Sequence, residues 1–185
     1  MSENPVFEVD DAIVLLLGSA AGGQTHEIRG ITRLEKLVFL LDKEAGVSDA
    51  MTEDPEFEGY NFGPFSRKVY QAVEMLEKAG LVEDSVLSSR STDDTWESEK
   101  VIGSDGGRSE YTTRNVRLTE LGLEYLEALK SELGEDVVNS VATLGARFAD
   151  WSLRPLVRYV YEKYPQYTER SLIRDEVLGK RGDPS

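Results

Sequence analysis

Between Ser66 and Leu118 the apolar residues change period, and that change limits the folds open to the chain. Val69, Ala72, Val73 and Leu76 recur at helical spacing behind a Ser66 cap, and Gly80 fits the C-terminal stop. Leu81-Val82 then starts a strand. From Tyr111 to Leu118 the sequence alternates, with Val116 and Leu118 on one face and Tyr111, Thr113, Asn115 and Arg117 on the other. The 28 residues from Glu83 to Glu110 hold 12 Ser, Thr or Gly and eight carboxylates, which rules out a helix between the strands. A helix followed by a long-tipped β-hairpin is the central expectation.

Helices extend on both sides. Val9 to Ala20 is apolar and ends in the Gly18 to Gly23 loop. Thr32 and Glu35 make a capping-box pattern before Leu34, Leu37, Val38 and Leu41, predicting a helix over about 32–44. An acidic loop leads to a short extended piece, Phe57 to Phe62, and a Gly63-Pro64 turn. Thr119 caps a fourth helix that Gly134 ends, and further helices are expected at about 135–149, 152–164 and 168–178. The expected class is mainly α with a small β-hairpin (α+β). The element order is that of a winged helix-turn-helix, residues 1–133 with a wing at about 81–118, followed by a C-terminal helical extension over 134–185.

Composition excludes several functions. The chain has 185 residues, no cysteine and one histidine, His26, so disulfides, thiol catalysis and two-histidine metal sites are out. The longest apolar run, Ala12 to Leu17, is too short to cross a bilayer, and a cytoplasmic protein is expected. A net charge of -14 disfavours loose adhesion to polyanions. Arginine outnumbers lysine 13 to 8, and seven carboxylates crowd Asp42 to Glu58. That balance fits a salt-adapted surface, as in halophilic archaea, and equally an acidic mesophilic protein.

Enzyme signals are poor, and neither catalytic residues, cofactor nor metal site is expected. Gly18 to Thr25 imitates a phosphate loop, but Gln24 stands where the lysine belongs and Gly30 interrupts the helix that should follow. His26 has no second ligand of its kind, and the acids at Glu53-Asp54-Pro55-Glu56 and Asp93-Asp94 lack the spacing of a calcium loop.

Two resemblances sharpen the expectation. Met75 to Val82, followed by Val116 to Gly122, resembles the recognition-helix end and post-wing segment of prokaryotic winged-helix regulators. Gly30 to Leu41, with Phe57, Tyr60 to Ser66 and Tyr70, resembles the YwgA-like proteins and the related SocA-like Panacea domains. There a lysine-leucine helix precedes an aromatic-x-Gly-Pro-x-Ser turn. The match covers about residues 30–122 in pieces. The winged-helix resemblance implies duplex DNA as partner and transcriptional regulation. The Panacea resemblance implies an antitoxin or adaptor that works by contact with a polypeptide such as a toxin.

On the DNA reading, Ser66, Arg67, Lys68, Tyr70 and Gln71 face the duplex from the third helix, while Arg108, Arg114 and Arg117 meet the backbone from the hairpin. Residues 147–181 carry eight basic and five acidic side chains, so the arginines there are expected to pair with the acidic body or with a second subunit. The surplus of aromatics in this segment suggests a homodimer, with Trp151, Leu156, Tyr159, Val160 and Tyr164 at its interface. The Phe57, Tyr60, Phe62 and Phe65 turn is expected to fasten the third helix to the second.

Overall fold

The computed structural model describes residues 6–89, 99–100 and 111–179. Helix α1 (Val9–Gly18) leads to β1 (Glu27–Arg29) and α2 (Ile31–Glu44); a tight hairpin of β2 (Glu58–Tyr60) and β3 (Gly63–Phe65) precedes α3 (Arg67–Lys78). Strands β4 (Val82–Ser89), β5 (Glu99–Lys100) and β6 (Tyr111–Leu118) follow. The chain continues through α4 (Glu120–Leu133), α5 (Glu135–Phe148), α6 (Leu153–Lys163) and the short α7 (Arg174–Leu178). It is therefore mainly helical with a small antiparallel sheet. Among the described residues no helix is long and apolar enough to cross a membrane.

The main sheet has the order β1-β6-β4, with β5 also pairing β6. In the expected hairpin Val82 lies opposite Leu118 and Asp84 opposite Val116. Val116 and Leu118 face the core and Arg117 faces solvent, as the alternation requires. Asn115 departs from its polar face: it is buried, and its side-chain oxygen accepts the Gly30 N–H at 3.2 Å. Strand β1 was not expected. It is three residues long and is held by pairing Ile28 with Val116 on β6, with Ile28 buried beneath it.

Helix α2 differs from expectation at its start. Its N-cap is Gly30 with no side-chain cap, and Thr32 and Glu35 are both buried rather than bracketing an exposed first turn. The capping box does not form because Glu35 is committed elsewhere, to the start of α3. Of the eleven positions from Ile31 to Leu41 ten are buried and only Arg33 is partly accessible, so α2 is the central helix. Helices α1, α3, α5 and α6 pack around it or one another in one continuous core from Phe7 to Val160. Helices α5 and α6 are thus built into the same core as the sheet and α1 to α4, whereas Val177 of α7 packs with Leu153, Val157 and Tyr161 in a smaller second cluster. Each fully buried Leu, Ile or Phe there stabilises the fold by roughly 1.5–3 kcal/mol.

Candidate nucleic-acid interface

The start of α3 is fixed from beneath. Glu35 and Lys36 on α2 form an ion pair of 3.2 Å whose side chains are 4% and 1% exposed. Lys36 Nζ also donates to the Pro64 carbonyl at 2.8 Å, and Glu35 Oε1 accepts the Ser66 N–H at 2.8 Å. Ser66 caps α3 by accepting the Val69 N–H, and its hydroxyl donates to the Pro55 carbonyl at 2.5 Å. Gly63 completes the junction: its φ is +90°, and a Cβ there would meet Tyr161 Cε1 at 2.7 Å. Only glycine fits that turn. Phe57 packs on Phe39, and Phe65 lies between Tyr60 and Tyr70, so the aromatic turn does join α3 to α2.

Ser66 consequently has a different role from the one expected. It is 0% exposed and spends its hydrogen bonds on the cap and the loop, so it presents nothing to a nucleic acid. Arg67 and Gln71 are exposed. With Val69, Ala72, Val73 and Leu76 buried, the outward line of α3 reads Arg67, Gln71, Glu74 and Lys78, at i, i+4, i+7 and i+11. Lys78 was not foreseen, although its spacing from Arg67 was readable. Neither Arg67 nor Lys78 has an ion pair among the described residues.

The other expected cations are engaged. Lys68 pairs with Glu53 at 3.0 Å and Glu56 at 3.4 Å, and its hydrogen bond to Glu53 is the main reason its pKa is raised. Arg114 Nε donates to Asp84 Oδ2 at 3.2 Å, and its guanidinium lies 5.8 Å from the centre of the half-buried Tyr70 ring. Arg117 is held by Glu83, which raises its pKa. Both hairpin arginines thus meet acids on the neighbouring strand. Arg108 lies outside the described residues.

The residues expected at a dimer contact are used within the chain. Leu156 and Val160 are 0% exposed and belong to the core, so neither offers surface to a second copy. Trp151 and Tyr159 pack on Phe148, with ring centroids 5.0 and 5.5 Å away, and Tyr164 packs on Phe39 at 5.0 Å. Glu44, at the C-terminal end of α2, gathers this region. It accepts from Tyr159 (3.0 Å), Tyr164 (2.8 Å), Arg147 (2.8 Å) and Lys163 (2.8 Å). Burial opposes its charge, but the hydrogen bonds from Lys163, Tyr164 and Tyr159 outweigh it and hold the carboxyl below its ordinary pKa. Burial and the Glu44 contact push the Tyr164 hydroxyl up to about 12. Arg147, Arg154 and Arg158 each find an acid in the same chain, at Glu44, Glu176 and Glu162.

The phosphate-loop imitation does not build a cradle. Ala20–Gly22 is a 3-10 turn, and α2 begins only at Ile31. His26 has φ +51°, and its Nδ1 is buried with no hydrogen-bond partner among the described residues. Among those residues no group of three or more His, Cys, Asp or Glu side chains is arranged to hold a metal ion. Compared with protein-family models, curated proteins and solved structures, the chain gives no match.

Proposed function

We propose that the chain is a winged-helix module that binds duplex DNA and regulates transcription by occupying a promoter, with α3 in the major groove and the β4–β6 hairpin on the adjacent backbone. The element order supports it: helix, strand, helix, a short β2–β3 hairpin, helix, and a longer hairpin onto which the first strand closes. The observation that carries the reading is the outward line of α3. Arg67 and Lys78 end it without ion pairs among the described residues, and Gln71 and Glu74 lie between; arginine and lysine suit phosphates and guanine, and glutamine and glutamate suit base edges. The acidic body repels DNA least at high ionic strength, so a salt-adapted setting suits this surface.

One observation favours a second reading, a protein-interaction module of the antitoxin or adaptor kind. DNA must compete with Asp84 and Glu83 for Arg114 and Arg117, whereas a polypeptide partner need not break those pairs.

The deciding experiment measures binding of the purified protein to its own upstream DNA and to random duplex from about 0.1 to about 2 M KCl, with light scattering in the same samples. Saturable, cognate-preferring binding that Arg67→Glu weakens by about tenfold or more supports the DNA reading. No binding at any salt overturns it and leaves the polypeptide reading.

A further inference from the structure

The flank of α3 that faces away from Tyr70 and the hairpin is apolar and exposed. Met75 is 63% exposed, and Ala79, one turn later, is exposed too. Gly80 stops α3 so close to α4 that a Cβ there would lie 3.9 Å from Leu121 Cδ2. Leu121 is itself 51% exposed, and Tyr125 follows one turn along α4 with 38% exposure. Met75, Ala79, Leu121 and Tyr125 therefore form a strip from the end of α3 onto the first turns of α4.

Acids border this strip. Glu120 and Glu124 are exposed beside its α4 half, with Lys78 as the adjoining cation on α3. At its far end the Tyr125 hydroxyl donates to Asp11 Oδ1 at 2.5 Å, which brings the strip to the start of α1. There the carboxylates are crowded. The Asp10 charge is the largest influence raising the pKa of Glu8, with burial and Asp11 adding to it. Burial, then Asp11 and Glu53, raise that of Asp10. None of Glu8, Asp10, Asp11, Glu120 or Glu124 is ion-paired among the described residues.

We propose that this strip docks an amphipathic, basic helix of another polypeptide. Apolar residues at i, i+3, i+4 and i+7 of such a helix cover the strip, and flanking Lys or Arg side chains meet the acidic border. The same border repels duplex DNA and anionic lipid. A second copy of the chain does not fit. Its basic helix α6 has already buried its apolar face of Leu156, Val157, Val160 and Tyr161. The strip adjoins the Lys78 end of the outward line of α3, so a docked helix and a duplex exclude each other there, but the docking does not rest on the DNA reading.

The test uses the full chain and a fluorescein-labelled peptide of about five helical turns, with Leu at i, i+3, i+4 and i+7 and Lys elsewhere, followed by anisotropy at about 0.15 M KCl. A peptide of the same composition with Leu off period is the comparison. Saturable binding is expected, about tenfold or more tighter than for the scrambled peptide. The double substitution Met75→Ser and Leu121→Ser should weaken it by about tenfold. Leu172→Ser, at a residue 74% exposed beside Asn61, should leave it unchanged. No saturable binding, equal binding of the scrambled peptide, or undiminished binding by the double variant overturns the proposal.

Discussion

The two ends of α2 each hold a carboxylate against a cation, and the two carboxylates respond in opposite directions. Glu35, near the start, is paired with Lys36 and accepts one backbone N–H, and burial outweighs both, raising its pKa. Glu44, at the end, has 7% of its side chain exposed but lies much nearer the surface, and its pKa is lowered. The difference lies in depth and in the partners. Four side chains from α5, α6 and the turn after α6 converge on Glu44, whereas Glu35 shares one lysine with the Pro64 carbonyl. Depth of burial sets the cost of a charge, the donors around it offset that cost, and the sign follows from both.

The largest effect should come from breaking the poorer-served end. Lys36→Met leaves Glu35 buried without its cation and the Pro64 carbonyl without a donor, so urea unfolding should show a loss of about 3–5 kcal/mol. Adding Glu35→Gln to that variant should recover part of the loss, because the neutral amide is cheaper to bury. A single-variant loss below about 1 kcal/mol would mean that the junction rearranges and that the contrast with Glu44 is not one of enclosure.

A smaller effect should follow at the other end. Glu44→Gln should cost about 2 kcal/mol at neutral pH by weakening the hydrogen bonds that Tyr159, Tyr164 and Lys163 donate. The pH dependence separates the two carboxylates. With a folded pKa below its ordinary 4.5, Glu44 contributes stability that is present above pH 4.5 and lost as pH falls through the folded value. Glu35 has a folded pKa above 4.5, so its contribution declines as pH rises from 4.5 through that value. Urea midpoints across a pH series should therefore lose their acid limb in Glu44→Gln, and lose the opposite decline in Glu35→Gln. Identical profiles in the two variants would erase the comparison.

The smallest effect belongs to a pair that is solvated. Arg117→Ala removes the contact with Glu83 on the hairpin surface, and the urea midpoint should not move measurably in about 1 M KCl. A clear drop there would show that exposed pairs on this sheet act as buried ones do.

Much of this architecture was legible because it follows from local rules. Ser66 and Gly80 bracket α3 as caps do, Thr119 caps α4 through the Gly122 N–H, and the Val116 and Leu118 alternation gave the inner face of β6. What was missed depends on contacts distant in sequence. Strand β1 has three residues and no pattern of its own, and it exists because β6 offers it a ladder. Thr32 and Glu35 imitate a cap whose side chains turn inward instead. The aromatics in and around α6 read as surplus because nothing local shows that packing on Phe39 and Phe148 consumes them; Phe39 alone meets Phe57, Tyr164 and Tyr167 edge-on. At the candidate interface the cations were visible, but the acids that neutralise Arg114 and Arg117 lie about 30 residues away on β4.

Arg33 ties these distances to the order in which the protein can form. Its guanidinium donates to the Phe148 and Ala149 carbonyls, 115 and 116 residues downstream, at the open end of α5. Tyr164 reaches back 120 residues to Glu44 in the same way. During synthesis the side of the central helix that α5 and α6 cover therefore stays open until α6 has left the ribosome. The native core closes late, and a nascent chain halted before that point is a substrate for chaperones rather than a working fragment.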